Sequence, residues 1–213
     1  MNEAEHQQSI RDTVRRIGNE LGAPDGFLES LRDESDWAFI IKVHALFEAA
    51  AGHLLHRVLG RPELAEPLSY LELSDKRRGK MAFISALGLL EKADRRFIAS
   101  LSQLRNELVH DVRNASFDLR AHVKAMTKEQ FKAFARDFNS FSLTPDDLVE
   151  VGSQSVRAEE AFRLDPKRAI WWSAMVTLSL IYDAREIERA KADTKHYEAI
   201  LATFGRWLKP ANE

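Results

Sequence analysis

Residues 37–59 read WAFIIKVHALFEAAAGHLLHRVL, and this stretch decides the fold class of the protein. Its apolar residues recur every three or four positions, which is the period of a helix that buries one face. The buried face is predicted to contain Phe39, Val43, Phe47, Ala50 and Leu54. Ser35 or Asp36 is a suitable N-cap, and Gly60 is a suitable C-terminal stop. The stretch therefore predicts one long helix with its apolar face in a core.

The same helical period continues on both sides of this stretch. Further helices are predicted at residues 10–21, at 76–90 after Ser74 or Asp75, at 94–111, after the capping box of Thr127 and Gln130, at 166–192, and in a final segment at 197–207. Residues 144–147 predict one more helical turn. Few runs alternate with a period of two, so no sheet is expected. The sequence predicts an all-α protein in which the helices from about residue 35 to residue 114 form a compact unit, with additional C-terminal helices packed against it.

Composition limits the classes of protein that this chain can belong to. It has 213 residues and no cysteine, which excludes disulfides and thiolate metal sites and agrees with a cytoplasmic location. The first residues, MNEAEHQQ, are polar, and no stretch is expected to reach the length of a membrane span. The net charge is −2, so binding to a nucleic acid requires a local basic patch.

Residues 104–111, LRNELVHD, contain the one cluster whose residue types and spacing suggest chemistry. Asn106 and His110 are four apart and therefore neighbours on a helix surface, and the long side chain of Arg105 can swing toward them. An imidazole transfers protons near neutral pH, and a guanidinium binds phosphate through a planar fork of donors. This combination could cleave RNA, whose 2′-hydroxyl is an internal nucleophile. His110 lies near a helix C-terminus, where the dipole favours a cation and so suits an acid more than a base.

A purely structural interpretation stays open for the same residues. Arg105, Glu107 and Asp111 could be ordinary surface charges, and His110 could interact with the last carbonyls of its helix. Glu107 and Asp111 also place negative charge beside the cluster, which opposes the binding of a polyanion.

The run from Arg105 to His110 resembles the R-x4–6-H motif of the HEPN superfamily, in which the residue after the arginine is usually Asn, Asp or His. The order of the surrounding segments, FIIKVHALFEAAAGHLL, KMAFISALGLL and LSQLRNELVHD, is also similar to the mannitol-operon-repressor-like branch. The resemblance covers about residues 36–118. It implies a HEPN-like core, an up-down helical bundle, at 35–118, preceded by N-terminal helices at 1–34 and followed by a helical extension at 119–213 that packs on the core.

Many proteins of this superfamily are metal-independent endoribonucleases that act as toxins, defence effectors or RNA-processing enzymes. The resemblance implies that Arg105 and His110 are catalytic, that Asn106 supports them, that no cofactor is needed and that a homodimer is the working form. Other members regulate or bind proteins without cleaving RNA. An antitoxin or regulatory protein is therefore an expected partner, beside RNA itself.

Two further groups of residues are secondary candidates. His44 and Glu48 are four apart on the long helix, and they could support the site or merely form its polar edge. A basic run could contact an RNA backbone, although such runs are usually solvated. It consists of Lys76, Arg77, Arg78 and Lys80, together with Arg95 and Arg96.

Overall fold

A computed structural model describes residue 12 and residues 14–139, 148–151 and 154–207, and it confirms the predicted all-α helical bundle. The helices are α1 (14–21), α2 (Phe27–Ser30), α3 (Asp36–Leu59), α4 (Ala65–Ser69), α5 (Lys80–Ala86), α6 (Lys92–Val109), α7 (Leu119–Ala125), α8 (Lys128–Asp137), α9 (Ala158–Leu164) and α10 (Pro166–Trp207). Short 3₁₀ helices lie at Leu31–Asp33, Pro62–Leu64 and Val112–Ser116.

Helix α3 is the central helix of the fold, and its ends are those that the sequence predicts. The Ser35 side chain accepts a hydrogen bond from the Ala38 N–H at 3.2 Å, and Gly60 ends the helix at a φ of 59°. That positive φ is accessible to glycine at little cost, so the chain turns away from the helix there. All five predicted face residues are buried. Helix α3 packs against α5 and α6, and against α10.

Helices α3 and α6 run antiparallel. Near the start of α3, Trp37 Nε1 donates to the carbonyl of Leu108 at 3.3 Å, near the end of α6. Further along α3, the ring of Phe47 lies 5.5 Å from the ring of Phe97, near the start of α6. The ten residues from Trp37 to Phe47 in α3 therefore lie opposite the eleven residues from Leu108 back to Phe97 in α6. This register fixes which side chains of the two helices can meet.

Helix α10 is longer than the sequence predicts. It is one helix of 42 residues, which continues past residue 192 through the segment predicted at 197–207. No glycine or proline interrupts residues 167–204, so nothing in the local sequence ends the helix. Its first turns are attached to the core, because Lys167 Nζ lies 3.0 Å from Asp36 Oδ1 and Trp171 Nε1 donates to the Leu28 carbonyl at 2.8 Å.

A small antiparallel hairpin of β1 (Leu148–Val151) and β2 (Gln154–Arg157) contradicts the expectation that the chain has no sheet. Val149 pairs with Val156 across the hairpin. Each strand has four residues, which is too short for a period of two to stand out from the sequence. The helical turn predicted at 144–147 lies outside the described residues.

Helix α5 is shorter than the predicted helix at 76–90. Asp75 does not begin a helix but closes a turn, in which its carboxylate accepts the N–H groups of Arg77 at 2.8 Å and Arg78 at 3.0 Å. Gly79 then follows in an extended conformation, and the helix begins at Lys80. Asx turns of this kind compete with helix formation by satisfying the same backbone donors.

The close packing of the turn at 75–79 leads to a stability prediction. A Cβ atom at Gly79 would lie 2.6 Å from the Glu72 carbonyl oxygen and 2.7 Å from the Asp75 backbone. Gly79→Ala is therefore expected to lower the free energy of unfolding by about 1–3 kcal/mol. Gly52→Ala in α3 is the matched control, because its Cβ would have no neighbour closer than 3.9 Å, and alanine is expected to stabilise that helix by about 0.5–1 kcal/mol. Urea denaturation measures both changes, and equal stability of the two variants would contradict this account of the turn.

Buried residues from all three predicted parts of the chain form one hydrophobic cluster, which extends from Val14 to Tyr182. Within the described part of the chain, α3 is the one helix that is long and apolar enough to cross a membrane by length and composition. The expectation that no stretch of the chain is long and apolar enough to span a membrane is therefore wrong for α3. However, 56% of its apolar window is buried inside the structure, which is also the behaviour of a core helix in a soluble protein.

Candidate functional site

The cluster at 105–110 lies at the C-terminal end of α6. Arg105 and Asn106 are in the last turns of the helix, and His110 is its C-cap residue. Arg105 Nη1 donates to Asn106 Oδ1 at 3.0 Å, so the first two members of the motif are directly linked. Arg105 is partly buried, whereas Asn106 and His110 are exposed. All three are therefore accessible to a ligand at the surface.

The end of α6 is held by residues other than His110. The Leu108 carbonyl accepts from Trp37, and the Glu107 carbonyl accepts from Asn114 Nδ2 at 2.9 Å. Within the described chain, no hydrogen bond is recorded for the His110 imidazole. The structural interpretation, in which His110 caps the last carbonyls, is thus weakened because other donors already occupy two of them.

The supporting residues His44 and Glu48 lie in a polar seam between α3, α5 and α6. Only 8% of His44 is exposed. Lys80 Nζ, from the first residue of α5, lies 3.5 Å from Glu48 Oε1, and the lysine is 3% exposed. Burial lowers the pKa of His44, the positive charges of Arg105 and Lys80 lower it further, and only Glu48 acts in the opposite direction. The imidazole is therefore neutral at neutral pH.

Because of the register of α3 and α6, His44 and His110 lie at different levels along the axis of α6. His44 is seven residues beyond Trp37, which places it level with about Leu101 in α6, seven residues before Leu108. Arg105 is one turn further along α6, and its side chain tilts back toward the helix N-terminus, in the direction of His44. His110 is nine residues from Leu101, or about 13 Å along the axis. Along the axis, Arg105 thus lies between the two histidine levels, and its charge contributes to lowering the pKa of His44.

Lys80 is a residue that sequence reasoning misplaced. Its place in the basic run predicted a solvated surface charge, but the Lys80 side chain is buried and reaches Glu48 on α3. Gly52, one turn after Glu48, lies beside its stem, since a Cβ there would be in ordinary contact at 3.9 Å from Lys80 Cε. The sequence contains no local signal for this inward turn, because the contact of Lys80 with Glu48 joins two helices.

The remaining basic candidates are divided between two places. Lys76, Arg77 and Arg78 are exposed on the turn before α5. Arg95 and Arg96 are partly buried near the start of α6, and Arg96 Nε lies 3.4 Å from Asp137 Oδ1. Arg96 therefore connects α6 to α8, and the three residues of the turn are the more accessible group for a phosphate backbone.

The two acidic neighbours of the motif differ in their partners. Asp111 forms a bidentate ion pair with Arg113, with contacts of 2.6–3.1 Å, and these hydrogen bonds lower the pKa of its carboxyl group. Its negative charge is thus compensated locally. Glu107 accepts from Gln103 Nε2 at 3.0 Å, an uncharged donor. Glu107 is therefore the acid of the two whose hydrogen-bond partner does not compensate its charge.

Comparisons with protein-family models, with curated proteins and with solved structures found no match for this chain. Among the described residues, no group of three or more His, Asp or Glu side chains is arranged to hold a metal ion.

Proposed function

We propose that this protein is a metal-independent endoribonuclease of HEPN type that acts as a cytoplasmic homodimer in a toxin, defence or RNA-processing role. The observation that carries the proposal is the link between Arg105 and Asn106 at the accessible end of α6, four residues before the exposed His110. A guanidinium, an amide and an imidazole are sufficient to bind a phosphodiester and to transfer protons.

In the proposed reaction, Arg105 binds the non-bridging oxygens of the scissile phosphate and Asn106 keeps the guanidinium in position. The 2′-oxygen of the preceding ribose attacks phosphorus as its proton passes to solvent water, and His110 is reprotonated from solvent after each turnover. The bond from phosphorus to the 5′-oxygen breaks, and that oxygen takes a proton from the imidazolium of His110. The products are a 2′,3′-cyclic phosphate and a free 5′-hydroxyl, and the atoms balance without a further reactant.

Local charge supports access by RNA despite the net charge of −2. Asp111 is neutralised by Arg113, so one of the two carboxylates beside the motif no longer opposes a polyanion. The exposed turn of Lys76, Arg77 and Arg78 offers positive charge to the RNA backbone.

Exposed apolar residues next to His110 support a protein partner at this end of α6. Val112 is 88% exposed and Val109 is 37% exposed, so two branched apolar side chains flank the motif. A second copy of the chain would cover them and bring two motifs together, and an antitoxin could cover them as well. Apolar surface of this kind beside polar groups is typical of an interaction site.

The test is cleavage of a mixed RNA pool by the purified protein in EDTA. The expected result is cleavage with 2′,3′-cyclic phosphate ends and loss of cleavage in His110→Gln, whose circular dichroism and unfolding midpoint should match the wild type because the side chain is exposed. Failure of the wild-type dimer to cut any RNA in the pool would reject the proposal.

The second candidate function is a non-catalytic regulatory or protein-interaction module, similar to mannitol-repressor-like proteins. It is favoured by Glu107, whose carboxylate beside the motif is hydrogen-bonded to an uncharged amide, and by the apolar Val109 and Val112, which suit a protein partner better than RNA. A protein that co-purifies in fixed stoichiometry, and is lost on Val112→Asp, together with absence of RNA cleavage, would support this function over the first.

A further inference from the structure

The seam between α3, α5 and α6 contains a second histidine that the ribonuclease proposal does not yet use. His44 is 8% exposed. It lies on the same face of α3 as Glu48, whose carboxylate is itself in contact with Lys80 Nζ at 3.5 Å. A buried imidazole among three charged side chains is an unusual environment for a residue with a purely apolar packing role.

The packing of α3 against α6 places this imidazole beside Arg105 rather than beside His110. The contacts of Trp37 with Leu108 and of Phe47 with Phe97 fix the antiparallel register, which sets His44 one turn before Arg105 along α6. His110 lies on the other side of Arg105, at the C-terminal end of the helix. A phosphate bound by Arg105 would therefore have one histidine toward each end of α6.

The two histidines differ in environment in the way that an acid and a base require. Burial, Arg105 and Lys80 together lower the pKa of His44, and Glu48 opposes them only in part, so His44 is neutral and can accept a proton at neutral pH. From α10, Lys167 is engaged with Asp36 at the start of α3, two turns before His44. His110, in contrast, is exposed at the C-terminal end of α6.

We propose that His44 is the general base of the ribonuclease site, with Arg105 binding the phosphate and His110 acting as the acid. This inference rests on the proposed ribonuclease function. The 2′-hydroxyl proton passes to a ring nitrogen of His44 as the 2′-oxygen attacks phosphorus. The phosphorus–5′-oxygen bond breaks, and the leaving oxygen takes the proton of the His110 imidazolium. Lys80 and Glu48 are positioning residues, because they act on His44 and not on the substrate.

The first experiment compares His44→Gln with His53→Gln, a matched exposed histidine on the same helix. RNA cleavage by His44→Gln is expected to fall by at least about 100-fold, the usual contribution of a general base, whereas His53→Gln should cut at the wild-type rate. Wild-type rate in His44→Gln together with loss of cleavage in His110→Gln would overturn this inference and leave the ribonuclease function intact. Absence of cleavage by the wild type would reject both, so the two failures are distinguishable.

A second measurement covers the case in which His44→Gln does not fold. Cleavage must decline as pH falls through the pKa of the base, because only the neutral imidazole accepts a proton. Lys80→Met removes a positive charge that lowers this pKa, so the acidic limb of the pH–rate profile should move to higher pH, together with the NMR titration of the His44 ring. Lys92→Met, an exposed lysine on α6, is the control and should leave the limb in place. An unmoved limb in Lys80→Met would overturn the assignment of His44.

Discussion

Arg105→Ala is expected to lower the rate of RNA cleavage by roughly 10²- to 10³-fold, because the variant loses the charged donor that stabilises the phosphate in the transition state. The expected effect on stability is small. The one hydrogen bond recorded for the side chain goes to the exposed Asn106, and surface contacts of this kind contribute about 0–1 kcal/mol. Initial rates with a fluorescent RNA and thermal unfolding of the same preparation measure the two quantities.

Two further variants test whether the planar shape of the Arg105 guanidinium matters as well as its charge, and whether the effect is specific to this position. Arg105→Lys retains the positive charge but loses the planar fork, so it should recover only part of the rate. Arg57→Ala removes an exposed arginine near the end of α3, remote from the motif in sequence, and should cut RNA like the wild type. If Arg105→Ala and Arg57→Ala have the same rate, Arg105 does not bind the scissile phosphate.

Phe97→Ala is expected to destabilise the fold by about 3–5 kcal/mol, a large part of the total stability of a domain. Phe97 is fully buried in α6, and its ring lies 5.5 Å from the ring of Phe47 in α3 and 5.8 Å from the ring of Phe138 after α8. Truncation would therefore leave a cavity at a point where three elements meet. For a chain of this size the melting temperature should fall by about 2–4 °C per kcal/mol.

Phe83→Ala is the matched control for this prediction. Phe83 lies on α5 and is 42% exposed, so its removal should cost less than about 1 kcal/mol. Differential scanning calorimetry of both variants gives the comparison. A Phe97→Ala protein that melts within 2–3 °C of the wild type would mean that α3 and α6 do not pack as described.

Most of the helices could be predicted because their signals are local. Ser35 and Gly60 begin and end α3, and Thr127 and Gln130 form the capping box of α8 as expected. A cap depends on a hydrogen bond within three or four residues, so the sequence itself contains both partners. The hairpin at 148–157 and the late start of α5 were missed, because very short strands and an Asx turn leave almost no periodic pattern.

The candidate site was likewise predicted only in part from the sequence. Spacing along one helix predicted that Arg105, Asn106 and His110 share the end of α6, and it also identified His44 and Glu48 as neighbours on α3. It did not predict that the charge of Arg105 reaches His44, that Lys80 turns inward to Glu48, or that Arg113 neutralises Asp111. The first two interactions join different helices, and the third depends on how the chain leaves α6.

The sequence by itself determined that this protein is helical, where most helices begin and end, and which chemically active side chains lie on each of them. A period of 3.6 residues and a cap are properties of neighbouring residues, so no other part of the chain is needed to define them. Only the tertiary structure decided that His44 lies within reach of the charge of Arg105. That pairing depends on the antiparallel register of α3 and α6, which is set by the hydrogen bond of Trp37 to the Leu108 carbonyl and by the contact of the Phe47 and Phe97 rings, both between residues far apart in the chain.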